Sequence, residues 1–83
     1  MPKRLTIADH LSLEELEARF RTSREVTERN HWQVIRLLAQ GQPSHQVADL
    51  VGYSVPWVRQ LATRYNAQGP AALGDQRHAN ENL

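Results

Sequence analysis

The chain has no cysteine among its 83 residues, so neither a disulfide framework nor a thiolate metal site is open to it. No apolar run is long enough to span a bilayer, and the opening M-P-K-R-L-T-I lacks the hydrophobic stretch of a signal peptide; a cytoplasmic protein is expected. Glycine-rich phosphate loops are missing too. The histidines, His10, His31, His45 and His78, fall in separate segments with no H-x-x-x-H pair, so no zinc site is predicted. No base stands by sequence to activate Ser44 or Ser54 as a nucleophile. These absences predict no enzyme, no cofactor and no small-molecule substrate. Charge is scarce as well: ten Lys and Arg against nine Asp and Glu leave a net charge of +1.

Eighty-three residues make one domain at most, with room for a modest core that compact helical packing fills best. Residues 1–11 read as a flexible arm carrying Lys3 and Arg4 near its start. The arm is either a disordered terminus or a segment that reaches into a DNA minor groove. Ser12 with Glu15 forms an S-x-x-E capping box. Behind it Leu13, Leu16 and Phe20 recur at helical spacing, with Glu14, Glu15 and Glu17 early and Arg19, Arg21 and Arg24 late, as a helix dipole favours. That helix should end near Thr22 or Ser23. A second is expected over residues 25–40, with Val26, Trp32, Ile35, Leu38 and Ala39 as its buried stripe and Val34 and Leu37 on its flanks. Gly41 ends it and Pro43 keeps it from resuming. After Asn66 the turn signals Gly69-Pro70 and Gly74-Asp75 open a turn-rich tail, 67–83, from which Leu73 can fold back. No stretch reads as a useful strand, so the expected fold class is all-α, a small bundle of about four helices with its globular part over residues 12–66.

The stretch from Ser44 to Arg64 is the most informative. Ser44 is the expected N-cap of a short helix whose apolar face is Val47, Ala48, Leu50 and Val51. Ala48 is small where a crossing helix must come close, and Gly52 supplies the sharp turn. Tyr53 folds over the hydrophobic centre, Ser54 caps the next helix, and Pro56 sits in its first turn, where a missing N–H is tolerated. Val58, Leu61, Ala62 and Tyr65 then point inward while Val55, Arg59, Gln60, Thr63 and Arg64 point outward. Two short helices with these offsets form a helix-turn-helix, in which the second helix is presented to a DNA groove. A hairpin that only packs is the plainer alternative. Trp57 either packs against the domain or lies beside a DNA backbone. Charge favours DNA weakly: residues 1–30 hold six basic and six acidic groups, whereas residues 31–66 hold Arg36, Arg59 and Arg64 against Asp49 alone. With so few phosphate partners a lone module should bind poorly, and a homodimer would strengthen it.

From His31 onward the sequence H-W-Q-V-I-R-L-L-A-Q-G-Q-P-S-H-Q-V-A-D-L-V-G-Y-S-V-P-W-V-R-Q-L-A-T-R-Y-N-A-Q-G-P-A-A-L-G-D-Q-R resembles the N-terminal DNA-binding region of mariner-related bacterial insertion-sequence transposases. The pattern is L-L-A-x-G, then x-x-V-A-x-x-x-G-x-S, then W-V-R, then R-Y-N-x-x-G-P-x-A-L, and the lead-in L-S-L-E-E-L-E-A-R-F-R extends the likeness over roughly residues 11–77. The resemblance implies a homeodomain-like or winged helix-turn-helix that binds double-stranded DNA at terminal inverted repeats. Ser54, Val55, Arg59, Gln60, Thr63 and Arg64 would face the DNA, Ser54 at a phosphate and Arg59 and Gln60 at purine edges. In that family a catalytic domain with acidic metal ligands follows; here the chain stops at Leu83, so cleavage and strand transfer are not expected of this polypeptide. A fragment, a remnant and a free-standing nucleoid-associated regulator all fit that stop. A protein-interaction or dimerisation domain that keeps the fold without strong DNA binding is the alternative function.

Overall fold

A computed structural model describes residues 6–70 together with Leu73. It contains α1 (Leu13–Thr22), α2 (Val26–Ala39), α3 (Ser44–Val51) and α4 (Val55–Gln68), and among the described residues no strand forms. The all-α architecture is as expected. The central element is α2, which packs against each of the other three helices, while α3 and α4 also pack on each other.

Local chemistry sets most boundaries. Ser12 Oγ accepts from the Glu15 N–H at 3.2 Å while the Ser12 N–H donates to Glu15 Oε1 at 2.9 Å, a complete capping box. At the start of α2 a glutamate does the capping, with the Glu25 carboxylate accepting from the Glu28 N–H at 2.8 Å. The end of α2 closes as a Schellman turn: the Gly41 N–H reaches the Leu38 carbonyl at 3.0 Å and the Gln42 N–H the Leu37 carbonyl at 3.1 Å. At the end of α3, Gly52 has φ of 88° and its N–H donates to the Ala48 carbonyl at 2.8 Å. A Cβ there would meet no atom within 4 Å, so the backbone angle, not space, requires glycine.

The core is continuous through the three later helices. Trp32, Val34, Ile35, Leu37 and Leu38 of α2 share one buried cluster with Val47 and Ala48 of α3, Val58, Leu61, Ala62 and Tyr65 of α4, and Leu16 and Leu73. Leu73 does fold back, as expected.

Three expectations need correcting. Val26 is 71% exposed rather than buried; it is the first residue of α2 and lies off the arc that the core covers. Leu50 is 62% exposed; at about 100° per residue it falls outside the arc shared by Ser44, Val47, Ala48 and Val51. Ser44 does not cap α3. It is the first residue of the helix, buried on that same arc, and Pro43 takes the N-cap position, its carbonyl accepting from Gln46 and Val47 at 3.0 Å each.

The proposed arm also differs in part from a free terminus. Residues 6–11 lie against the end of α4, tied by Asn66. The Ala8 N–H donates to Asn66 Oδ1 at 2.7 Å, Asn66 Nδ2 donates to the Thr6 carbonyl at 2.7 Å, and His10 Nε2 donates to the Asn66 carbonyl at 3.1 Å. The His10 ring stands edge-on to Tyr65 at 5.3 Å, and a Cβ added at Gly69 would meet it at 3.6 Å. Lys3 and Arg4 lie outside the described residues.

Candidate nucleic-acid interface

Helix α4 owes its outward face to the depth of its inward one. Val58, Leu61 and Tyr65 are wholly buried and Ala62 almost so, which fixes the rotation of the helix about its axis. At about 100° per residue this leaves Pro56, Arg59, Gln60 and Thr63 along the line pointing away from the core, and all four are exposed. Arg59 and Gln60 therefore project from the middle of a helix that cannot roll. The Thr63 hydroxyl turns back and donates to the Arg59 carbonyl at 3.0 Å, so its methyl and its free lone pairs are what it offers outward.

At the start of α4, Ser54 is exposed and accepts from the Trp57 N–H at 3.3 Å through Oγ. That bond leaves its hydroxyl proton to donate. Pro56 contributes no N–H, so the Val55 amide is the remaining uncapped donor of the first turn. The Val55 side chain itself is half-buried against the core rather than fully outward.

Arg64 stands apart from the Arg59 line. It is half-buried, and its guanidinium lies 5.9 Å over the Trp57 ring. Trp57 in turn packs with Tyr53 at 6.4 Å and with His31 at 5.9 Å, and His31 meets Tyr53 at 6.2 Å. Trp57 is thus packed and partly exposed at once. Burial holds the His31 imidazole below its ordinary value of 6.5; Arg64 pushes it the same way, while Glu25 and Glu28 pull it back. His31 and Tyr53 carried no local motif that would have placed them beside α4. Their association depends on α2 crossing the turn.

Elsewhere the chemistry is thin. Among the described residues no group of three or more His, Asp or Glu side chains is placed to hold a metal ion, and no helix is long and apolar enough to cross a membrane. A cleft of about 390 Å³ lies under residues 6–13 against α1 and the end of α2, and no residue of α3 or α4 lines it.

Comparison with known families decides what this helix pair is. The family described as winged helix-turn helix matches residues 31–83. The chain belongs to the winged helix-turn-helix family. No curated protein and no solved structure matches it. Winged helix-turn-helix domains present their second motif helix to DNA, and the match begins at the first residue of the aromatic group that flanks α4. Within the winged helix-turn-helix match lie all the outward residues of α4, and also Asn66, Gly69 and Leu73.

Proposed function

We propose that the chain is a sequence-specific DNA-reading module of transposase type, with α4 lying in the major groove. The observation that carries this reading is the exposed line of Arg59, Gln60 and Thr63 on a helix whose opposite face is buried to its full depth. A guanidinium and a primary amide are the groups that pair bidentately with guanine and adenine edges. The Ser54 hydroxyl and the Val55 N–H are available to a phosphate at the helix start, and Thr63 offers a methyl to a thymine. The likeness of the L-L-A-x-G, W-V-R and R-Y-N-x-x-G-P-x-A-L segments to mariner-related transposases supports terminal inverted repeats as the target. Lys3 and Arg4 are proposed to add minor-groove contacts.

Selection of bound sites from random duplexes tests this. A defined consensus is expected, and Arg59→Ala should weaken the selected site by about 1–3 kcal/mol while relaxing preference at one base pair. The salt dependence should be shallow, about that of a few phosphate contacts, since log K falls by about 0.9 per contact per decade of salt. A second copy on adjacent half-sites would compensate for the low charge.

One observation favours a second reading. Leu50 leaves a large apolar side chain 62% exposed on α3, as a protein-interaction or dimerisation surface would. Self-association without binding of any duplex at low salt would establish that reading instead.

A further inference from the structure

We propose that His31, Tyr53, Trp57 and Arg64 form a binding site for one backbone phosphate of the DNA, and that His31 takes up a proton when the phosphate arrives. This rests on the DNA-reading assignment above and adds a site to it, on the flank of α4 rather than on its outward line.

The argument begins with the dimensions of the two partners. A helix is about 10–12 Å across with its side chains, and the major groove is about 12 Å wide. A helix seated there turns its outward line to the base edges and its flanks to the sugar-phosphate walls. On α4 one such flank carries Trp57 and Arg64, with the guanidinium 5.9 Å over the indole ring. His31 of α2 and Tyr53 of the turn close around the same ring, at 5.9 and 6.4 Å. All four side chains are half-buried.

Chemically the group is rich in donors and short of an acceptor. The Tyr53 hydroxyl, the Trp57 indole N–H, the Arg64 guanidinium and the His31 ring have no hydrogen-bond partner among the described residues. The carboxylates that act on His31 both come from α2 and have other duties. Glu25 caps the helix by accepting from the Glu28 N–H at 2.8 Å, and Glu28 accepts from Trp32 Nε1 at 3.4 Å. From α4 the charged group facing His31 is Arg64, a cation. His31 and Arg64, two groups of potential positive charge, thus stand against the same indole ring, with Glu25 and Glu28 acting on His31 from the start of α2; a phosphate oxygen on the solvent side adds an acceptor for the Arg64, Trp57 and Tyr53 donors. Protonated imidazole donates from both nitrogens, so the site holds an anion best with His31 charged.

Linkage fixes the signs. In the free protein, burial and Arg64 keep His31 below its ordinary value. The unfolded chain therefore binds the proton more readily, and acidification through that range erodes the free fold. A phosphate beside the ring has the opposite effect, so the complex holds more protons than the free protein. Affinity must then rise as pH falls, and a bound-state rise of one unit corresponds to about a tenfold gain.

The test uses the whole chain and a labelled duplex of random sequence, titrated from above to below the ordinary histidine value of about 6.5, with the His31 ring proton followed by NMR with and without duplex. Binding should tighten about tenfold toward low pH, the His31 titration should move up on adding duplex, and His31→Gln should remove the pH dependence while His45→Gln keeps it. Melting of His31→Gln alone confirms that it is folded. Failure to bind any duplex at any pH overturns the DNA-reading assignment itself. Binding with an unmoved His31 titration, or with pH dependence that survives His31→Gln, overturns this inference and leaves that assignment standing.

Discussion

Residues 6–22 and the three helices behind them are joined to the molecule in different ways. The front segment contributes one fully buried side chain, Leu16, whereas α2, α3 and α4 contribute eleven buried side chains to a shared core. Ile7, Leu11 and Phe20 add only partly buried packing against that core, and the segment's remaining attachments are polar or cation–π. Asn66 fastens residues 6–10 through three hydrogen bonds. Arg29 and Arg36 of α2 hold their guanidinium groups 4.9 and 4.8 Å over Phe20, and Arg19 reaches back to 5.6 Å over Trp32. Hydrogen bonds and cation–π contacts of this kind are each worth about 1 kcal/mol net, while a buried leucine is worth several times that. The geometry of the α4 surface is therefore set by the three-helix core, and α1 braces a structure whose shape is already decided.

The strongest way to break that division is at its centre. Leu61 is completely buried where α4 faces the core, so Leu61→Ala should cost about 2–5 kcal/mol. For a domain of this size that is a large part of the total. Urea denaturation should show one early transition, with α1 lost together with the rest and duplex binding lost in step. An α1 that stayed folded while α4 melted would show the front segment to be the more autonomous of the two.

A smaller effect tests the other side of the comparison. Asn66→Ala removes both side-chain hydrogen bonds to residues 6–8, leaving only the backbone contact to His10. The expected cost is about 1–3 kcal/mol. Amide exchange should quicken over residues 6–11 and α1, with protection in α2–α4 almost unchanged. Uniform loss of protection would mean that Asn66 acts on the core and not on the strap.

How much of this was legible in the sequence follows the same division. The capping box at Ser12 and Glu15, Gly41 before Pro43, Gly52, and Ser54 before Pro56 are all local signals, decided within four residues, and each stands where the pattern places it. The inward face of α4 was also readable, since one helix period fixes it. Val26, Leu50 and Ser44 were not, because their burial depends on which arc of a helix a neighbour covers. The strap was invisible for a related reason: Asn66 meets partners 56 to 60 residues away, and no periodicity announces an amide that binds backbone at such a distance. On the candidate interface, Arg59, Gln60 and Thr63 followed from the helix period, whereas the position of Arg64 over Trp57 beside His31 required the crossing of α2.

The least expected effect lies at the joint between the two regions. Tyr65 is a core residue of α4 whose ring meets Trp32 at 6.3 Å and His10 at 5.3 Å, yet its buried hydroxyl has no hydrogen-bond partner. Burial raises the phenol above its ordinary value of 10.0; the backbone of Leu11 and then Arg19 lower it again, without the Leu11 backbone completing a hydrogen bond, while Asp9 and Glu15 push it up. An unsatisfied buried group costs stability, and removing it leaves the ring packing in place. Tyr65→Phe should accordingly be neutral or stabilising by about 1 kcal/mol in urea denaturation. The pH dependence gives an independent sign. With the folded-state value raised, the unfolded chain loses its proton first, so this contribution is present below about pH 10 and is lost as pH rises through the folded value. Tyr65→Phe should remove that alkaline loss. If the substitution instead destabilises the protein, the phenol and the Leu11 backbone are bonded in solution, and the front segment is tied to the core by one contact more than its hydrogen bonds to Asn66.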